Sequence, residues 1–193
     1  VARVREFDTE AALEAAMSVF RHKGYEGTSV QDLVDATGVG RGSLYAAFGS
    51  KEGLYRAVLD RYRERYALPL VDLLRSGTPA RKLIRDILVD LVETILRDGR
   101  EQACLIVSAA TERLCHDPEV ATRVGATTSL LEDELTGVIA AAQARGEPVG
   151  IRDPRDSARL IMTLIHGLRV TGAINPDRRH LMSVVEAALS CLD

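Results

Sequence analysis

Apolar residues along the chain recur at steps of three and four, the signature of amphipathic helices, and no stretch alternates as a strand would. Leu13, Met17 and Phe20 share one helical face after a cap at Asp8 or Thr9, and Gly24 ends that helix. Thr28 or Ser29 opens a short helix carrying Val30, Leu33 and Val34, closed by Gly38. A third helix is predicted from about Arg41 to Phe48. Ser50 caps a fourth, running through Leu54, Val58 and Tyr62 to near Pro69. Thr78-Pro79 starts a helix to about Leu96, and further helices are expected over 101–114, 118–145, 154–173 and 177–191. Gly, Pro or Asp marks each break, as at Asp98-Gly99, Asp117-Pro118, Gly146 with Pro148, and Asn175-Pro176. The expectation is an all-α chain of about nine helices.

Composition sharpens this. Aromatics are only 4% and Trp is absent, so the core rests on Leu, Val, Ile and Ala, which favours helix over sheet. Three cysteines, Cys104, Cys115 and Cys191, are odd in number and widely spaced, which argues against a disulfide framework and for a reduced, cytoplasmic setting. No leader sequence is read before Arg3, and no 18-residue window is free of charge, so no membrane span is expected. No phosphate loop, cofactor or metal signature is found. Cys115 and His116, adjacent on a helix, would point to different sides. Net charge is −3, and residues 1–66 hold ten basic and ten acidic side chains, so nucleic-acid affinity would rest on a few placed cations and helix termini.

Residues 28–52 carry the functional signal. Two short helices separated by Gly38, Val39 and Gly40 form a helix-turn-helix locked by Val30, Leu33, Val34, Val39 and Leu44. The second helix is too short to bury two faces. Its exposed side would carry Arg41, Ser43, Tyr45 and Ala46, groups suited to a major groove. Thr28 could offer its hydroxyl and N–H to a phosphate. Lys51, a cation at the positive end of a helix dipole, fits there if an anion is near. Gly42 and Gly49 permit close backbone approach. Spacing alone leaves a plain helical hairpin equally open.

The run Phe20, Gly24, Tyr25, Thr28, Ser29, Val30, Leu33, Gly38, Val39, Gly42, Leu44, Tyr45, Phe48, Ser50, Lys51 and Leu54 resembles the N-terminal domain of the TetR/AcrR family of transcriptional regulators. The resemblance spans residues 8–62. It implies a helix-turn-helix DNA-binding domain over 1–50 and a larger effector-binding and dimerisation domain over 51–193. Residues 41–47 become the recognition helix, with Arg41, Gly42 and Ser43 at base edges and Thr28, Tyr45 and Lys51 on the phosphate backbone. Gly40 stands where many members have a capping Ser or Thr, and Ala46 where many have a bulky polar or aromatic residue. Both departures weaken phosphate anchoring.

The last two helices are apolar over arcs too wide for a single buried face, from Leu160 to Val170 and from Leu181 to Leu192. They fit either a core within one subunit or a four-helix interface between two copies, with Gly167 and Gly172 allowing close approach. The resemblance favours the homodimer, which suits a palindromic double-stranded operator. It also implies an effector cavity enclosed by helices from about 79 to 173. The segment Gln102–Glu112 is similar to a subgroup in which a cysteine at the position of Cys104 senses electrophiles or oxidants. A first-turn position near Arg100 would favour its thiolate, whereas a buried inert thiol is the other reading. Cys104 and Cys115 on one continuous helix would stand roughly 16 Å apart, too far for a bridge. His166 could reach an effector or be a satisfied core residue. The expected function is a ligand-responsive regulator, a repressor released by a small-molecule or thiol-reactive effector. The alternatives are a helical thiol-dependent enzyme, for which no base lies near Cys104, and a dimerisation module that does not bind DNA.

Overall fold

The structure is a computed structural model that describes residues 7–99, 103–150 and 152–190. Among the described residues there are ten α-helices, one π-helical turn and no strand. They are α1 (Thr9–Lys23), α2 (Val30–Thr37), α3 (Arg41–Phe48), α4 (Lys51–Tyr62), α5 (Leu68–Leu74), α6 (Ala80–Asp98), α7 (Leu105–Glu112), α8 (Pro118–Ala144), α9 (Pro154–Ile174) and α10 (Arg178–Ser190). None is long and apolar enough to cross a membrane.

Helix starts follow local chemistry. Asp8 caps α1 by accepting the Ala11 N–H at 3.1 Å. Ser29 and Asp32 form a reciprocal capping box on α2. Ser50 accepts the Gly53 N–H to start α4, and Asp153 accepts from Arg155 and Asp156 to start α9, with Pro154 at its first position. Gly38, left-handed at φ +67°, ends α2 so that α3 can turn across it.

The expected fourth helix does not stop near Pro69. It is divided into α4, a π-helical turn at Arg63–Ala67, and α5. Proline gives no N–H and crowds the carbonyl four residues back, so the preceding turn widens to the longer hydrogen-bond spacing instead of ending the helix.

By packing, the chain forms two compact units. The first takes in the described residues of Val1–Tyr66 and Gln102–Ala126, and the second those of Ala67–Glu101 and Thr127–Asp193. In the first, α1, α2, α3 and α4 enclose Phe20, Leu33, Leu44, Leu54 and Val58, and α7 with the start of α8 adds Leu105, Ala109, Val120 and Val124 to the same core. All eight aromatic residues of the chain lie at or before Tyr66. Phe20, Tyr25 and Tyr55 meet one another with centroids 4.9–6.1 Å apart.

The second unit is accordingly aliphatic. Leu83, Ile84, Leu88, Val92 and Ile95 of α6 pack on Ile161, Met162 and Leu168 of α9 and on Leu181, Val185 and Leu189 of α10. Gly172 has a different use from the expected subunit contact. It is buried against α6, where a Cβ would lie 2.3 Å from Ile95 Cγ2. Gly167, by contrast, is exposed with open space around it.

Candidate nucleic-acid interface

Helix α3 buries only Leu44. Arg41, Gly42, Ala46 and Ala47 are exposed, and Ser43 and Tyr45 are half-buried beside them. Arg41 and Tyr45 are one turn apart, and the guanidinium carbon rests 5.2 Å from the ring centroid. This stacking arranges a donor fork and a hydroxyl on one face. Gly40 caps α3 with no side-chain hydrogen bond; the Ser43 N–H turns back to the Gly40 carbonyl at 2.9 Å, which leaves the Arg41 and Gly42 amides for an anion. A Cβ at Gly42 would meet nothing within 4 Å, so among the described residues no side chain covers that position.

Thr28 takes a different role from the one expected. It is 2% exposed, its hydroxyl donates to the Gly24 carbonyl at 2.6 Å, and its N–H is given to the Tyr25 carbonyl at 3.2 Å. With both donors committed, Thr28 fixes the α1–α2 turn rather than offering hydrogen bonds to a phosphate. Its neighbour Ser29 is exposed but shares its polar atoms with Asp32. The Asp32 carboxyl is held down at about 2 by hydrogen bonds from Lys23 and then Ser29.

Lys51 is half-buried in the first turn of α4, with its ammonium 4.2 Å from the centroid of the Tyr25 ring. The aromatic face supplies the electron density that offsets the unfavourable dipole end when no phosphate is near. Tyr25 itself donates to Glu52 Oε1 at 2.8 Å, and burial, then Glu52, push its phenol well above the usual range. Glu52 is held below its usual range by hydrogen bonds from Ser50 first and also from Tyr25, so it stays ionised beside Lys51. The identity of Tyr25 was legible in the sequence, but not its role as the resting place of Lys51. Glu112 and Arg113, which also touch this turn, lie more than eighty residues further along and carry no local signal.

Cys104 lies in the first unit, not in the wall of the second. It is the residue just before α7, 8% exposed, and Tyr62 donates its hydroxyl to the sulfur at 3.6 Å. Next to it, the Ala103 N–H donates to the Arg21 carbonyl at 3.1 Å and Arg21 Nε returns a bond to the Ala103 carbonyl at 3.2 Å. The thiol is thus built into the contact between α1, α4 and α7. Arg100 and Cys191 lie outside the described residues. Cys115 is exposed in the turn after α7, so the two cysteines do not share a continuous helix. His166, half-buried on α9, is pushed below its usual range by burial and then by Arg169. It is not among the side chains lining a small, wholly apolar cavity in the second unit. That lining comes from Leu70 and Leu74 of α5, Ile84 and Ile87 of α6, Leu131 and Leu135 of α8, and Ile161, Met162 and Ile165 of α9. Among the described residues, no three His, Cys, Asp or Glu side chains gather as a metal site.

Comparison with known proteins bears directly on this geometry. Residues 12–58 match the model of bacterial regulatory proteins of the tetR family, and residues 80–193 match the C-terminal domain of BetI-type transcriptional repressors. The chain is 33% identical over 192 residues to the HTH-type transcriptional regulator YezE of Bacillus subtilis, covering 99% of each. It is 30% identical to the HTH-type transcriptional repressor ComR of Escherichia coli, over 97% of this chain and 90% of that protein. A cysteine-substituted form of the TetR family regulator CifR, solved with a 26-base-pair operator duplex, superposes with a TM-score of 0.87 at 32% identity, covering 99% of this chain and 100% of that one. The chain belongs to the TetR family of bacterial regulatory proteins, DNA-binding transcription regulators rather than enzymes, and carries a BetI-type repressor C-terminal domain.

Proposed function

We propose that two copies of this chain bind a palindromic operator as a homodimer and repress transcription in the bacterial cytoplasm until an effector releases them. Each α3 enters a major groove. Arg41, Gly42 and Ser43 approach base edges, while Tyr45, Lys51 and the uncapped Arg41 and Gly42 amides at the start of α3 hold phosphates. Residues 1–50 do the reading, and residues 51–193 supply dimerisation and effector response. The observation that carries this reading is the face of α3, exposed along Arg41, Gly42, Ala46 and Ala47 while Leu44 alone is buried.

A selection against random duplexes is expected to return an inverted repeat. Tyr45→Ala and Lys51→Ala should each weaken binding to every duplex by about tenfold, whereas Arg41→Ala should also flatten the base preference at one position of each half-site. Unchanged affinity in all three variants removes the assignment.

Effector response has two supports. The apolar cavity offers no side chain to pair with a charge and is too narrow as it stands for more than a water-sized guest, so an uncharged ligand would enter by pushing α5, α6, α8 and α9 apart. Cys104 suits a thiol-reactive one. An adduct on its sulfur must displace the Tyr62 hydroxyl and disturb the Arg21–Ala103 pairing, both inside the unit that holds α3. At 8% exposure, reaction requires local opening, so a small maleimide should label exposed Cys115 quickly and Cys104 slowly. Loss of operator affinity, expected to be at least about tenfold or about 1.4 kcal/mol, should follow the slow phase. Cys104→Ser should bind the operator normally and abolish that loss. A Cys104→Ser protein that still responds would end the sensor role.

A further inference from the structure

We propose that Arg113, with Glu112, is a positioning residue for DNA binding: it fixes the Tyr25 ring on which Lys51 rests, and so sets where the Lys51 ammonium meets a phosphate. The proposal rests on the reading of Lys51 as a phosphate contact. It adds a requirement from α7 that no helix-turn-helix residue supplies.

The pair grips three consecutive residues of the α1–α2 turn. The Glu112 carboxylate accepts the Glu26 N–H at 2.9 Å and the Ser108 hydroxyl at 2.8 Å. It also occupies the space a side chain at residue 24 would need, because a Cβ on Gly24 would lie 2.4 Å from Glu112 Oε1. The Arg113 guanidinium carbon lies 4.1 Å from the centroid of Tyr25, and its Nη1 reaches Glu26 Oε1 at 3.3 Å. Arg113 is itself held from behind, with Nη2 3.8 Å from the buried carboxylate of Asp117. Already paired and largely covered, it is placed to hold the turn rather than to meet DNA.

Tyr25 passes this constraint on. Its ring packs on Phe20 and Tyr55, its hydroxyl is bonded to Glu52, and the Lys51 ammonium lies on it at 4.2 Å. A cation–π contact at the surface is weak enough to exchange for a phosphate, yet it restricts where a flexible four-carbon side chain starts. If the ring shifts, the ammonium starts elsewhere and the phosphate contact is lost.

The test uses the full chain and a random-sequence DNA duplex, on which affinity comes from phosphates, titrated over a series of salt concentrations. Each phosphate contact contributes about 0.9 to the slope of log affinity against log salt, and the slope does not depend on what fraction of the protein is folded. Lys51→Ala should lower that slope by about 0.9 per copy bound. Arg113→Met, which keeps a stem against the ring but removes the guanidinium, should lower it by a similar amount. The double variant should lose no more than Lys51→Ala alone, and Arg113→Lys should recover most of the slope. An Arg113→Met protein with the wild-type slope, or losses that simply add, would show Arg113 to be structural only and overturn the proposal. A Lys51→Ala protein with the wild-type slope would instead remove the phosphate reading of Lys51, and the proposal with it.

Discussion

Replacing Asp117 with alanine is expected to destabilise the first unit by about 3–4 kcal/mol, the cost typical of removing one partner of a buried, hydrogen-bonded charge together with a helix cap. Asp117 is 3% exposed and serves three helices at once. Its Oδ1 accepts the N–H groups of Glu119 and Val120 at 3.0 and 3.2 Å, closing the N-terminus of α8. Its Oδ2 accepts Arg56 Nε and Nη2 of α4 at 3.1 and 2.9 Å and faces Arg113 at the exit of α7. Alanine would leave two uncapped amides and two cations without their shared counter-charge. Asp117→Asn keeps an oxygen for the cap while removing the charge, so about half the loss is expected. Burial raises the carboxyl, but the hydrogen bonds from Arg56 and the α8 amides outweigh it and the group is net lowered. The folded state therefore binds the proton less readily than the unfolded chain. The contribution is complete above the ordinary carboxylate range and fades as pH falls below about 4 through the folded value. Urea unfolding of the three proteins at neutral pH and near pH 3 checks both statements. A cost below about 1 kcal/mol for alanine, a magnitude expected of an ordinary surface ion pair, would show that Asp117 is no hub.

Such a hub could not have been read from the sequence, and the reason separates what was legible from what was not. The starts of α1, α2, α4, α8 and α9 depend on Asp8, Ser29 with Asp32, Ser50, Asp117-Pro118 and Asp153-Pro154, each acting within four residues of itself. Local chemistry of that kind survives in sequence. Pro69 misled for the same reason: it is locally a stop, and only the π-helical turn before it lets the helix resume as α5. The open face of α3 was legible because the helix is only eight residues long and turns a single side chain, Leu44, fully into the core. What surrounds it was not. Arg21 meets Ala103 across 82 positions and Glu26 meets Glu112 across 86, and no periodicity marks either pair. Hence α7 read as part of a cavity wall, although it completes the aromatic-centred core of the unit that holds α3. Thr28 shows the converse, where a hydroxyl of the right type at the right helix start was already spent on the Gly24 carbonyl.

The apolar excess of α9 leads to a second large effect. Its Ile161, Met162 and Leu168 satisfy the core of their own unit, but Leu160, Thr163, Gly167, Val170 and Ile174 recur at steps of three and four on an exposed face. Leu160, Val170 and Ile174 are 42%, 45% and 71% exposed, which is costly for a lone subunit and useful for a two-fold pairing in which each face meets its own copy. Leu160→Arg combined with Val170→Arg would place four guanidinium groups in such an interface, and each would lose water without gaining a carboxylate. The variant is expected to sediment as a monomer at micromolar concentration. Each copy should unfold as the parent subunit core does, because neither residue belongs to it. Operator affinity should fall by at least about 100-fold, since two half-sites bound by linked copies gain an effective concentration that separate copies lack. Binding to one half-site should persist with its base preference intact, because α3 lies in the other compact unit. A double variant that remains dimeric with full operator affinity would remove α9 from the subunit contact and leave its exposed apolar stripe without this role.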